Sequence, residues 1–432
     1  MPDYNIPRGQ SAVIDKVEGD MRVGNNASLR PSVGKTITVT QAATFEGNAQ
    51  INGDLECDRL ECHNGKLEVN GNLSVNKTLD VGHSIFVQGT IKAQDIDVGG
   101  KIFAGAVSCS RMRVGGHAEI QGAFEAALVD IGGRLSALGQ VKLGDLHVGG
   151  EAEVGGGAIT GGIRVGGKFS SKTPFEFGEL LVYGKGNLPG GCKGRRVSTY
   201  GKLEVDGNLT CDFIEVGGVI EIKGDCHAQR VEIGGKLEVE RSLFADRIEG
   251  YGNTEVDGAI ETNTLRISGK LEAKKIIVQE EADVSGKIET DEGLKAKQLT
   301  VRSASHCEGF LIGERVEIGK SLDLTYGQGA MKWEWGWEWE KDGSRARFPP
   351  MPPIPAFFGS MGGMAKVDDD IYGKEVIVGS MCKTERIFAE KVTLEQGSAV
   401  EQVIFTQELK AAYGVQFGEP PRKVDKLPQP PF

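Results

Sequence analysis

The six histidines and eight cysteines of this 432-residue chain are the side chains best suited to metal or nucleophilic chemistry. His63, His83, His117, His147, His227 and His306 share no short metal-ligand spacing of the kind a helix presents. Approach across neighbouring turns is left open, and scattered surface histidines are the expectation. Cys57 and Cys62 resemble half of a zinc site, but no second pair follows at finger-like distance. Cys57, Cys62, Cys109, Cys211, Cys226 and Cys307 instead fall where the repeat described below turns side chains inward, and a thiol there acts as a small apolar group. Cys192 and Cys382 fall outside a clean column and are expected at the surface. Carboxylates are abundant, as in Glu68, Glu204, Glu238, Glu240 and Asp368 to Asp370. Rows of them on a parallel coil would make a calcium or glycan groove of the pectate-lyase kind. Their interleaving with Lys fits a solvated face better. There is no phosphate loop ending in Lys-Ser or Lys-Thr and no Gly-x-Ser-x-Gly elbow. No catalytic residue, metal or cofactor is assigned, and the chain is expected not to be an enzyme.

A different chemistry is concentrated near the C-terminal third. All four tryptophans, Trp333, Trp335, Trp337 and Trp339, alternate with Glu and Gly, so an extended strand puts every indole on one side. Phe348, Met351, Ile354, Phe357 and Phe358 follow in a Pro-rich stretch that leans to polyproline II. Left uncovered, these residues make a large apolar surface. Three fates are open: a lid on its own coil, a contact with a neighbouring subunit, or a membrane interface, where Trp is favoured. Trp333, Trp335, Trp337, Trp339, Phe357 and Phe358, with Phe405 and Phe417 further on, are the candidate subunit or partner interface.

The elements that must carry these residues follow from a repeat of about 17 residues. Gly-Gly after a short apolar run marks it: Val98-Gly99-Gly100, Val114-Gly115-Gly116, Ile131-Gly132-Gly133, Val148-Gly149-Gly150, Val165-Gly166-Gly167, Val216-Gly217-Gly218 and Ile233-Gly234-Gly235. A unit this short holds no helix pair but has room for one coil of three short strands. Apolar pairs at i and i+2 agree, as in Leu237 and Val239, Leu243 and Ala245, with Ile248 following. Gly or Asn recurs where a corner calls for positive φ. The fold class is therefore all-β, a right-handed parallel β-helix; the left-handed hexapeptide helix requires a multiple of six residues per turn. At a strand spacing of ~4.8 Å, roughly twenty turns give a rod on the order of 100 Å.

Residues 1–36 read as an N-terminal cap or irregular segment with Met21 to Gly24 as a degenerate first turn, 37–326 as the coil, 327–372 as the Trp/Pro-rich insertion, 373–417 as C-terminal turns and 418–432 as a mobile Pro-rich tail. One turn, Lys185 to Arg196, reads as a basic loop bulging from a corner. Glycine supplies 63 residues, about twice its usual ~7 % share, as many tight corners require. A formal charge of -11 argues against a nucleic-acid surface. Neither a signal-peptide pattern nor a membrane-length apolar run is present. A cytoplasmic, possible membrane-associated location is expected, or an extracellular one only by a leaderless route.

The units Gly65-Lys-Leu-Glu-Val-Asn-Gly-Asn-Leu-Ser-Val75 and Gly201-Lys-Leu-Glu-Val-Asp-Gly-Asn-Leu-Thr-Cys211, with partial copies at Gly234 to Val239 and Val87 to Ala93, resemble those of the bactofilins, the polymer-forming cytoskeletal proteins of prokaryotes. The resemblance covers roughly Gly47 to Gly319 and again Val376 to Phe405. It implies a right-handed β-helix that stacks end to end into filaments without nucleotide, often at a membrane. It also implies an aromatic residue at the C-terminal stacking end, where Phe405, Tyr413 and Phe417 stand here. The familiar member has one short β-helix between disordered tails; this coil is several times longer, and the Trp/Pro insertion lies outside the family pattern. The expected function is a self-assembling structural filament or scaffold whose partner is itself, with a membrane or lateral partner reached through the insertion. The alternatives are a surface adhesin or carbohydrate-binding rod and, third, a pectate-lyase-like glycan-active enzyme.

Overall fold

A computed structural model describes residues 4–320 and 364–431. Every regular element among them is a β-strand, and every strand pair is parallel. The chain divides into two compact units, residues 1–279 and 280–432.

The first unit is a parallel β-solenoid, and one stretch shows its construction. Leu203 pairs with Ile220, Ile220 with Leu237 and Leu237 with Thr254, each step one 17-residue turn. Leu209, Cys226, Leu243 and Ile260 form a second column; Ile214, Val231, Ile248 and Leu265 form a third. All but Thr254 of these residues are apolar, and all are buried. The alternation expected from the sequence is thus present: within one turn Leu237 and Val239 point in, while Lys236 and Glu238 between and beside them reach solvent. No turn encloses its own apolar face; stacking equal turns places like side chains over like.

Polar side chains lace the corners. Asp54 Oδ1 accepts the Asn72 N–H at 2.7 Å, and Asn72 Oδ1 accepts the Thr90 N–H at 2.9 Å. Asn208 Oδ1 serves Asp225 N–H, whose own Oδ1 serves Ser242 N–H. Each side chain satisfies a backbone donor one turn on, which a corner outside the strand ladder would otherwise leave bare.

The Gly-Gly corners have a different cause from the positive φ expected of them. A Cβ on Gly99 would stand 2.3 Å from the Gly82 carbonyl oxygen, and one on Gly132 2.5 Å from that of Gly115. Neither residue has positive φ. The turns approach so closely at this corner that only hydrogen fits.

Several expectations are corrected. Lys185 to Arg196 is no bulging loop: Lys185–Pro189 and Cys192–Thr199 are strands in register with the turns on either side. Its apolar pattern is hidden because Gly186 and Gly194 take inward positions that the Leu203 side chain and the Phe177 ring fill. The same turn buries Cys192 completely, and Cys382 in the second unit is also buried, so neither is at the surface. Cys109 is only half-buried. The segment read as a cap already carries ladder strands: Tyr4–Ile6 pairs with Met21–Val23, and Ser11–Val13 with Ala27–Arg30. The next step there is longer, Met21 facing Ala43, which obscures the period.

The second unit continues the same construction on its own residues. Leu294 pairs with Leu311, Leu311 with Ile371 and Ile371 with Ile387. The ladder is re-entered earlier than expected, with Ala365 and Val367 already buried. The tail read as mobile also contributes pairing, through Arg422 and Lys423 against Ile404 and Phe405.

Candidate functional site

Of the eight aromatic residues expected to form an interface, Trp333, Trp335, Trp337, Trp339, Phe357 and Phe358 lie outside the described residues. Phe405 and Phe417 are both half-buried at the C-terminal turns. Phe405 does not stand on the last edge. Its carbonyl accepts the Val424 N–H at 2.8 Å, and its strand, Ala399–Ala411, is partly overlaid by Gln416–Phe417 and Arg422–Lys423. That overlay is incomplete. Among the described residues, Glu408 to Ala411 pair only with Lys391 to Leu394 of the preceding turn. In the first unit, among the described residues, Tyr4–Ile6, Ser11–Val13 and Lys16–Val17 likewise pair on one side only. Parallel strands with one side unpaired present alternate N–H and C=O groups outward, a template for another chain.

The outer faces carry paired charge in rows. Lys202 lies 2.9 Å from Glu204 and 2.8 Å from Glu221 on the next turn, and Lys236 contacts Glu238 and Glu255 in the same way. The interleaved carboxylates and lysines thus neutralise one another along the ladder, as a solvated face does. A deeper version sits on another face of the same turns. Glu215, only 8 % exposed, accepts from Arg196 Nη2 at 2.8 Å and from the Ser198 hydroxyl at 3.0 Å. The guanidinium of Arg196 also lies over the Phe213 ring, 4.6 Å from its centre. Burial, and then the charge of Glu215, pushes the Tyr200 phenol up to about 12. Glu215 is committed to its arginine.

The thiols are unsuited to nucleophilic work. Burial pushes Cys57, Cys211, Cys226 and Cys307 up to about 12 and Cys62 to about 11. Even half-exposed Cys109 is raised to about 12, by burial and then by Asp95. A thiol in this range is protonated at neutral pH and is neither nucleophile nor ready ligand.

Histidine gives one cluster that the sequence reading missed. His306 Nε2 lies 2.7 Å from Asp368 Oδ2 and 3.7 Å from Glu308 Oε1, all partly exposed. His306 and Glu308 alternate outward on the strand His306–Glu308, and Asp368 follows the strand Lys366–Val367 that pairs with it. The signal was the sequence His-Cys-Glu at a repeat position elsewhere held by Lys-x-Glu. Its partner is 62 residues away, so no spacing rule could join them. Other histidines are engaged otherwise: His147 lies 3.0 Å from Arg164, His227 stacks on Phe244 and His63 lies 3.7 Å from Glu61. Among the described residues no helix is long and apolar enough to cross a membrane.

The fold and these surfaces define the class: a parallel β-solenoid with charge-laddered faces and incompletely paired terminal strands. Comparison adds no closer relationship, since the chain matches no known family model, no curated protein and no solved structure.

Proposed function

We propose that this protein is a structural, self-assembling β-solenoid of bactofilin-like type, which polymerises by end-on stacking and requires no nucleotide. One observation carries the reading: among the described residues, Tyr4–Ile6 and Ser11–Val13 of the first turn and Glu408 to Ala411 of the last long strand keep one side unpaired, and all belong to parallel ladders. Strand addition at such edges takes its strength from backbone hydrogen bonds and its register from apolar columns meeting end to end. A non-enzymatic role accords with the commitment of Glu215 to Arg196 and with thiols held protonated. Trp333, Trp335, Trp337, Trp339, Phe357 and Phe358 supply a lateral or membrane contact in this reading.

Negative-stain microscopy of purified protein, with and without ATP or GTP, is the test. Filaments of equal length and number in both conditions are expected, and excision of residues 322–362 with a Gly-Ser bridge should leave them unbundled. Discrete particles at every concentration, or filaments only with nucleotide, would remove the proposal.

A further inference from the structure

We propose that His306, Glu308 and Asp368 form a binding site for a divalent transition-metal ion of the zinc class, which fastens together two adjacent turns of the second unit that are far apart in the chain.

The register makes the site. His306 faces Lys366 and Cys307 faces Val367, so the next outward residues, Glu308 and Asp368, also stand side by side. One imidazole nitrogen and two carboxylate oxygens converge within 4.8 Å of one another. Zinc–ligand bonds of about 2.0–2.2 Å at a tetrahedral angle hold donor atoms roughly 3.4 Å apart. The observed 2.7 Å and 3.7 Å from His306 Nε2 bracket that value, so side-chain rotations on the order of 1 Å bring the three donors to ligand spacing. Mixed imidazole and carboxylate donors suit zinc and its neighbours, whereas calcium and magnesium prefer oxygen alone. Partial exposure of all three side chains leaves room for a water as fourth ligand and a path of entry.

What singles out this turn is the replacement of an ammonium by an imidazole. The preceding turn offers Lys287 at the equivalent place and the following ones Lys366 and Lys383, none of which has a lone pair to give at neutral pH. His117 occupies a comparable place in the first unit, but its turn has only Glu119, which faces Phe103 and Ser136. Among the described residues the cluster at His306 is the one group of this kind.

The location supplies an independent reason. Adjacent turns elsewhere in this unit are about 16 to 19 residues apart, yet Leu311 pairs with Ile371, 60 residues on. Closing a longer stretch loses more chain entropy, and a metal clip across it recovers the most. Polar side chains already gather at this junction: Asp369 accepts the Gly309 N–H at 2.9 Å, Arg315 reaches Glu375 at 2.8 Å and Lys374 reaches Glu314 at 3.1 Å. The proposed ion joins the same set of fastenings. Its competitor is internal. Lys366 Nζ lies 2.7 Å from Asp368, and Lys287 lies 3.5 Å from Glu308. Both ammonium groups must swing aside as the metal enters.

The test uses the full-length, tag-free protein after chelator treatment. Zinc chloride is titrated by calorimetry, and cobalt(II) is added to read the visible bands of tetrahedral coordination. One saturable site per chain is expected, with a higher melting temperature in zinc. His306→Ala and Asp368→Asn should weaken it by roughly tenfold or more and abolish the zinc-dependent rise, with circular dichroism unchanged. Lys366→Met, which removes the competing ammonium, should bind more tightly than wild type. Absence of saturable uptake below about 1 mM in both wild type and Lys366→Met, or equal affinity in His306→Ala, would overturn the proposal. A cobalt spectrum dominated by thiolate charge transfer would do the same.

Discussion

Single residues decide how closely the turns approach. Gly132 and Gly162 look alike in sequence, but a Cβ on Gly132 would meet the Gly115 carbonyl oxygen at 2.5 Å, whereas the nearest atom to one on Gly162 is 3.6 Å away. Gly132→Ala should therefore destabilise the first unit by roughly 1–3 kcal/mol and Gly162→Ala by no more than about 0.5 kcal/mol, as read by urea unfolding. Equal midpoints for the two variants would contradict the packing reason given for the Gly-Gly corners. A second contrast lies within one column. Leu237 is fully buried, and Leu237→Ala should cost ~2–5 kcal/mol. Its neighbour one turn on, Thr254, is 2 % exposed with an Oγ that has no hydrogen-bond partner. Thr254→Val keeps the shape and deletes the stranded hydroxyl, so a gain of roughly 1 kcal/mol is expected. A loss of stability there would mean that the hydroxyl has a partner after all. The inward direction of Leu203, Leu237 and Leu271 was legible from alternation alone, because an outward polar neighbour flanks each. The burial of Cys192 was not, because its turn carries glycines where other turns carry aliphatic groups.

At the scale of the element, a strand contributes its outward charges as well as its apolar face. In Leu311–Lys320, Glu317 is held below the usual carboxylate range by its hydrogen bond from Lys320 and then by Arg315, at 2.8 Å and 2.6 Å. A depressed carboxylate stabilises the folded state fully above its unfolded value of 4.5 and loses that contribution as pH falls through the lower folded value. Urea midpoints should therefore fall as the medium is taken from about pH 6 to about pH 3, and Glu317→Gln should flatten part of that slope. Parallel curves for the two proteins would show that Glu317 takes no part. Strand existence was well marked in the sequence by period-2 runs, and so was the turn length. Boundaries were not: the segment 1–36 and the turn at Lys185 looked irregular because pairing to neighbours, rather than local pattern, makes them strands. The His306 cluster belongs here too, since a strand pairing across 62 residues creates it.

For the molecule as a whole, assembly is the property to measure. In the proposed filament the C-terminal turns form one stacking end, and Phe405 is half-buried there beneath Arg422 and Lys423. Because Phe405 is already overlaid, the open edge is better tested at Leu409, which faces buried Val392 and is half-buried: Leu409→Arg should leave circular dichroism intact and shorten or abolish filaments, and unaltered filaments would count against end-on stacking at this edge. The sequence by itself determined the all-β class, the turn of about 17 residues and the inward columns. Each of these arises from a period written into neighbouring residues, and equal turns admit one way of stacking. Only tertiary structure decided why the corners are Gly-Gly, which thiols are buried, how far the ladder extends toward either terminus, and that His306, Glu308 and Asp368 meet. Those outcomes depend on what stands one turn above or below, a distance of a strand spacing in space and anything from 16 to 62 residues in the chain.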